Sequence, residues 1–347
     1  MKISLAVFVL FGLTSLSLAD GKLIRPANYS GSLEETSQEA IIIFHGGDEE
    51  KSATEDLILK IQVAGKTDDF AWVVPFPNPP KTAEESDRLF SELFSYVETR
   101  LRPPPKSKTL GAKVGAANGG ENEADRKVEV ISREVVGSYE VAVVKEKVAG
   151  SLNEWLEKEG YQPLENAEDV IGFYREKDYV FACIKVAETG LTKTKDGKVD
   201  LHPLRFTFET GGRDGIYFPM KMTGLQTEPF NVNLYVFYGA WLNDHINGYG
   251  YEHRGFSLKY RDWDTKQCKA NAGKSWSLPE RDPFLGNLAH RIPTVKKFFQ
   301  KRHPGELFYL TNIQAKNLKP GDVRQWQDDL WIFPYYTDKK FVPFDAR

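Results

Sequence analysis

The sequence predicts an α+β fold, mainly antiparallel sheets with a few amphipathic helices packed on them. Three observations predict it. Candidate strands outnumber candidate helices and occur in runs. Two segments alternate with the period of a strand: in "DLILKIQV" Leu57, Leu59, Ile61 and Val63 oppose Ile58, Lys60 and Gln62, and in "LRFTFE" Leu204, Phe206 and Phe208 oppose Arg205, Thr207 and Glu209. Helical spacing is confined to a few stretches. With 347 residues, 41% of them hydrophobic, the chain can bury a sizeable core in two domains or in one large one with insertions.

The elements follow in order. Lys2, the apolar run Ile3–Leu13 and the small residues of Ser17-Leu18-Ala19 read as a secretory leader cleaved after Ala19, so residues 1–19 are set apart from the mature chain. The alternative, an uncleaved anchor, needs ~20 apolar residues to span a bilayer, and this run is shorter. No cysteine follows the run, which excludes a lipoprotein anchor. "EAIIIFH" and "DLILKIQV" are strands, and "HGGDEEKSATE" is the turn between them. Gly46 and Gly47 are expected there for positive φ. His45 with Asp48, Glu49 and Glu50 lacks a third ligand and reads as turn, not metal site. "DDFAWVVPFPNPP" is an apolar strand run stopped by Pro75, Pro77, Pro79 and Pro80, none of which can donate in a ladder. Thr82 and Glu85 form a capping box for a helix over Thr82–Arg102, whose stripe is Leu89, Phe90, Leu93, Phe94, Val97 and Leu101.

Pro103–Arg126, rich in proline and then in glycine and alanine, reads as a flexible linker or long loop. It separates a β-rich region with one helix, 20–102, from an α+β region, 127–347. In the second region strands are expected at Lys127–Ser132, Tyr139–Lys145, Tyr179–Ala187, Leu204–Glu209, Tyr217–Thr223, Val232–Tyr238, Leu307–Ile313 and Leu330–Pro334. Helices are expected from Ser151 (capped with Glu154 and stopped by Gly160), from Asn166 (turning Val170, Phe173 and Tyr174 inward) and within Pro283–Lys301. Trp72 and Trp155 read as packing residues. Cys183 and Cys268 are a candidate disulfide pair, which export would permit, although Cys183 suits a strand core equally well.

Several of these segments together resemble one family of bacterial proteins, domain of unknown function 2330. They are "FAWVVPFP" (Phe70–Pro77), "VVGSYEVAVVKEKVAGSLNEWLEKEGY" (Val135–Tyr161), "YVFACIKV" (Tyr179–Val186) and "HPLRFTFET" with "IYFPMKMT" (His202–Thr223). The resemblance spans Asp20 to Tyr238. It implies an exported or envelope protein of this architecture. It implies no reaction and transfers no catalytic residue. Some members carry a membrane anchor near the C-terminus, where this chain instead reads "KKFVPFDAR".

Charge weighs against one class of partner. With 46 basic against 49 acidic residues, the balance argues against nucleic acid as the main partner, because phosphate neutralisation needs a basic face. The nucleophile elbow G-x-S-x-G, the zinc motif H-E-x-x-H, a P-loop and C-x-x-C are all absent. The best remaining patch is Trp241–Asp264, a candidate ligand surface of Trp241, Asp244, His245, Tyr249, Tyr251, His253 and Trp263. The sequence names no cofactor and no metal. Its leading expectation is an exported envelope protein, periplasmic or extracellular, that binds a protein or polysaccharide or plays a structural part, with no membrane span after leader cleavage. The alternative is an envelope-polymer hydrolase using a carboxylate, histidine or metal site near Asp244–Asp264.

Overall fold

The period-two segments become central strands of a large sheet, as a computed structural model of the chain shows. It describes residues 21–30, 33–47, 52–65, 69–101, 128–186, 192–193, 199–200, 202–211, 215–239, 254–261, 292–304, 306, 308–332, 336–337 and 340–341. In chain order the elements are β1 (Lys22–Ile24), β2 (Leu33–His45), β3 (Thr54–Gly65), β4 (Ala71–Phe76), β5 (Lys81–Glu84), α1 (Arg88–Leu101), β6 (Val128–Val136), β7 (Tyr139–Glu146), α2 (Ser151–Lys158), α3 (Glu168–Glu176) and β8 (Val180–Val186). After these come β9 (Thr192–Lys193), β10 (Val199–Asp200), β11 (Leu204–Glu209), β12 (Ile216–Phe218), a 3-10 turn (Lys221–Leu225), β13 (Phe230–Tyr238), β14 (Phe256–Arg261), α4 (Pro293–Arg302), β15 (Tyr309–Leu318), α5 (Pro320–Arg324), β16 (Leu330–Ile332), β17 (Tyr336–Thr337) and β18 (Lys340–Phe341). The class is α+β and mainly antiparallel, as the sequence predicts.

One sheet runs β1-β4-β8-β7-β6, and a larger one runs β14-β15-β13-β2-β3-β10-β9, with β11 joining β3 to β5. The pair β13–β2 is parallel. Strands from either side of Pro103–Arg126 pair in both sheets. Alternation on the larger sheet builds two cores. Ala40, Ile42, Phe44, Leu57, Leu59, Phe206 and Leu234 pack toward the smaller sheet. Ile41, Ile43, Ile58, Tyr235 and Phe237 pack under Leu89, Phe90, Leu93 and Val97 of α1 and Val295, Phe298 and Phe299 of α4. Each buried aliphatic or aromatic chain contributes about 1.5–3 kcal/mol. Covering both faces buries Glu55 through Leu59 without interruption, where alternation alone predicts a half-buried strand.

Several boundaries differ from expectation for physical reasons. Thr82 is not a helix cap: Lys81–Glu84 pairs with β11, and α1 starts at Arg88, whose N–H donates to Ser86 Oγ at 3.3 Å. Tyr96 joins the buried stripe while Phe94 faces outward, 54% exposed. The proline-rich run does end the strand, at Phe76 just before Pro77, although Pro75 itself lies within β4. Among the described residues β1 covers β4 only from Ala71 to Val73, so Pro75 faces an edge where no described strand needs its missing N–H, and its carbonyl accepts the Tyr217 hydroxyl at 3.1 Å. At α2, Gly150 (φ 82°) precedes the helix; the buried Glu146 carboxylate, not Glu154, accepts the Leu152 N–H at 3.1 Å, and Ser151 Oγ donates to the Val148 carbonyl at 2.7 Å. Gly160 does stop the α2 segment, with φ 89°. Asn166 precedes α3, which starts at Glu168; Val170 and Tyr174 turn inward, with Phe173 half-buried. Trp72 and Trp155 are buried, as packing residues should be.

The strand expected over Tyr217–Thr223 ends at Phe218 and becomes the 3-10 turn. Buried Asp329 takes over there. Its Oδ1 accepts the Met220 and Lys221 N–H groups, each at 2.8 Å, and the Tyr174 hydroxyl at 2.9 Å, while Oδ2 accepts the Tyr217 hydroxyl at 3.1 Å. Four donors from three elements thus meet one carboxylate. Burial raises its pKa, and these hydrogen bonds oppose the rise.

Candidate functional site

The helix-side face of β2 and β3 carries polar groups where the strands leave the apolar core. Ile41 and Ile43 lie under the helices, and the same alternation puts His45, the last residue of β2, on that face. Asp56 pairs with Ile43 across the β2–β3 ladder and shares the face of Ile58. On β11, Thr207 pairs with Asp56 and Arg205 with Ile58.

Helix α4 delivers the rest. The Thr294 and Val295 N–H groups donate to Glu92 of α1 at 2.8 and 3.0 Å, so a carboxylate meets the positive end of the α4 dipole. At the other end Arg302 pairs with Glu85 at 2.8 Å, and that carboxylate also takes Arg205 at 3.0 Å. His303 closes α4, its N–H donating to the Phe299 carbonyl at 2.8 Å, and Glu306 folds back to donate its N–H to the His303 carbonyl at 3.3 Å.

The result is a cluster of two imidazoles and a carboxylate backed by an aspartate. The His45 and His303 rings stack with centroids 4.9 Å apart. His45 Nδ1 lies 2.8 Å from Glu306 Oε2, and His303 Nδ1 lies 3.7 Å from Glu306 Oε1. One donor atom from each of the three lies within 4.8 Å of the others. On the inner side, His303 Nε2 stands 3.5 Å from Asp56 Oδ2, beyond a good hydrogen bond, and is buried without a hydrogen-bond partner. Asp56 is anchored by Arg205 at 3.1 Å and by the Thr207 hydroxyl. Phe298, Phe299 and Phe308 wall the His303 ring at 5.9, 5.7 and 5.5 Å. The outer side, at Gly46 and Glu306, is open to solvent.

Electrostatics follow from this placement. Burial alone would raise the Asp56 carboxyl, but neighbouring His303, the Thr207 hydroxyl and the Arg205 charge outweigh it and hold it at about 2. Burial lowers the His45 imidazole, with Glu306 opposing, so the neutral form is favoured. Neutral imidazole nitrogens and a carboxylate are donors that divalent metals take.

The sequence missed this site. The turn reading of "HGGDEE" holds to the extent that His45 and Thr54 end two paired strands, but Gly46 does not need positive φ, and Asp48, Glu49 and Glu50 lie outside the described residues. The further donor groups that the sequence does not place beside His45 are those of His303 and Glu306. The one local signal was the pair of possible ligands in "HPGE" closing a helix.

Other expected places differ in outcome. Trp241, Asp244, His245, Tyr249, Tyr251, His253 and Trp263 lie outside the described residues, as does the remainder of Trp241–Asp264 apart from 254–261. Cys183 is a buried free thiol on β8, its pKa pushed up by burial and by Glu159, while Cys268 lies outside the described residues. Beside Cys183, Arg133 pairs with Glu140 at 2.8 Å and Glu159 at 2.6 Å above Trp155. A cleft of 640 Å³ lies between Pro77, Glu129, Lys145, Asp178 and Gly211. Its charges are already paired, Lys145 with Asp178 at 2.6 Å and Glu129 with Lys147 at 2.7 Å. Among the described residues no helix is long and apolar enough to cross a membrane.

Comparison with known proteins gives little beyond family. No curated protein matches the chain. Among solved structures, the crystal structure of baculovirus P35 aligns at 14% identity and a TM-score of 0.37, over 66% of this chain and 70% of that one, a likeness too slight to carry an argument. The profile described as "uncharacterized protein conserved in bacteria (DUF2330)" matches residues 36–303, and on that match the chain belongs to this bacterial family.

Proposed function

We propose that the protein is exported and works in the bacterial envelope, periplasmic or extracellular, as a binding or structural protein and not as an enzyme. The observation that carries this reading is the N-terminal sequence: Lys2, the apolar run Ile3–Leu13 and the small residues Ser17 and Ala19. The fold is compatible with cleavage after Ala19. The Gly21 N–H donates to Thr223 Oγ1 at 3.3 Å, and Lys22 Nζ donates to the Leu225 carbonyl at 3.0 Å, so a chain starting at Asp20 keeps both of these contacts. Gly21 is required there: it has φ +82°, and a Cβ would stand 2.6 Å from the Val73 carbonyl oxygen. A binding role is favoured over thiol catalysis because Cys183 is buried with a raised pKa, the opposite of an activated nucleophile. The partner would be a protein or a polysaccharide of the envelope.

Fractionation of a producing bacterium, with the intact mass of the purified chain, tests this. The expected product starts at Asp20 and appears in the periplasm or medium. A cytoplasmic chain that retains residues 1–19 contradicts the reading.

A further inference from the structure

We propose that His45, His303 and Glu306 form a binding site for a divalent transition-metal ion, with Zn²⁺ the ion their nitrogen and oxygen donors suit. The site is independent of export, and either claim can fail without the other.

The first support is convergence. Three residues from two distant parts of the chain bring one donor atom each within 4.8 Å, on a face where alternation otherwise places isoleucines. The Glu306 carboxylate already lies between the two Nδ1 atoms, at 2.8 and 3.7 Å. Tetrahedral zinc with bonds of 2.0–2.1 Å needs donors about 3.4 Å apart. Closure therefore asks for a shift of roughly an ångström or more. Glu306 can supply much of it, because its side chain is 45% exposed.

The second support is the aspartate behind His303. A ligating histidine commonly donates its other ring N–H to a carboxylate, which fixes the tautomer and orients the ring. Asp56 stands in that place, 3.5 Å from His303 Nε2, and is itself held by Arg205 and Thr207. Without a metal this nitrogen is buried with only the 3.5 Å contact to Asp56 and no hydrogen bond, a costly arrangement for a fold to keep. With Nδ1 on a metal, the Nε2–H becomes more acidic and its contact with Asp56 strengthens.

The third support is shape. Phe298, Phe299 and Phe308 close the inner side, and Gly46 and Glu306 leave the outer side open. Three protein ligands with an open fourth position leave room for water or for a donor from a partner.

The test is calorimetric titration of chelator-stripped mature protein with ZnCl₂, with Co²⁺ absorption as a check on coordination. The expected result is one ion per chain. Glu306→Gln, at an exposed position, should weaken binding at least tenfold while leaving the unfolding transition of the stripped protein in place. His303→Phe should abolish binding. Asp56→Asn, a positioning change, should weaken it about 10–100-fold and alter the Co²⁺ spectrum. Absence of stoichiometric uptake, or uptake that survives both Glu306→Gln and His303→Phe in folded protein, overturns the proposal.

Discussion

Two buried polar centres in this molecule use similar groups in opposite ways. At Asp329 one carboxylate receives four donors at 2.8–3.1 Å, from α3, β12 and the residues at the 3-10 turn. At His303 a buried ring nitrogen reaches its nearest carboxylate at only 3.5 Å and has no hydrogen bond. A satisfied centre fastens elements together. An unsatisfied one costs stability, and the fold retains it beside two further metal-type donors. The difference separates a structural knot from a site with unused bonding capacity.

The largest expected effect breaks the knot. Asp329→Ala leaves two backbone N–H groups and the Tyr174 hydroxyl without their acceptor, and the Tyr217 hydroxyl with the Pro75 carbonyl alone, and should destabilise the protein by about 3–5 kcal/mol in urea unfolding. Tyr174→Phe removes one hydroxyl that donates to Asp329 at 2.9 Å and accepts the Met222 N–H at 3.1 Å, and should cost about 1–2 kcal/mol.

A third substitution probes a buried acid between these extremes. Glu55 is fully buried, its Oε2 accepts the Tyr217 N–H at 2.8 Å and its Oε1 has no hydrogen bond. Burial raises its pKa well above the ordinary value. A raised folded-state pKa means that its contribution is full below the unfolded value of about 4.3 and is lost as the pH rises through the folded value. Glu55→Gln should therefore leave stability nearly unchanged at pH 4 and raise it at pH 8, as urea unfolding at the two pH values would show. The smallest effect is expected at the unsatisfied centre. His303→Phe, among three phenylalanines, should change the stability of metal-free protein by no more than about 0.5 kcal/mol. A loss as large as that of Asp329→Ala would erase the distinction between the centres.

The sequence made the strands legible where one face rule suffices. Leu204–Glu209 coincides with β11 because a clean alternation leaves little choice of register. It misled where tertiary pairing outweighed local signals. Thr82 and Glu85 have capping-box spacing, yet β11 claims Lys81–Glu84 as a strand partner. Glu154 has cap spacing too, yet Glu146 on the preceding strand reaches the helix first. The candidate site was hidden for a simpler reason. Alternation puts His45 and Asp56 on one face, but nothing local connects them to His303 and Glu306, which arrive only because α4 packs on that face.

Thermal unfolding of the mature protein with and without excess Zn²⁺, for wild type, Tyr174→Phe and Glu306→Gln together, tests the separation most directly. A ligand at a hundred times its dissociation constant stabilises the folded state by about 2.7 kcal/mol. The account predicts that Zn²⁺ raises the melting temperature of wild type and of Tyr174→Phe by similar amounts and that of Glu306→Gln by no more than about half as much. No shift in wild type, or an undiminished shift in Glu306→Gln, would contradict it.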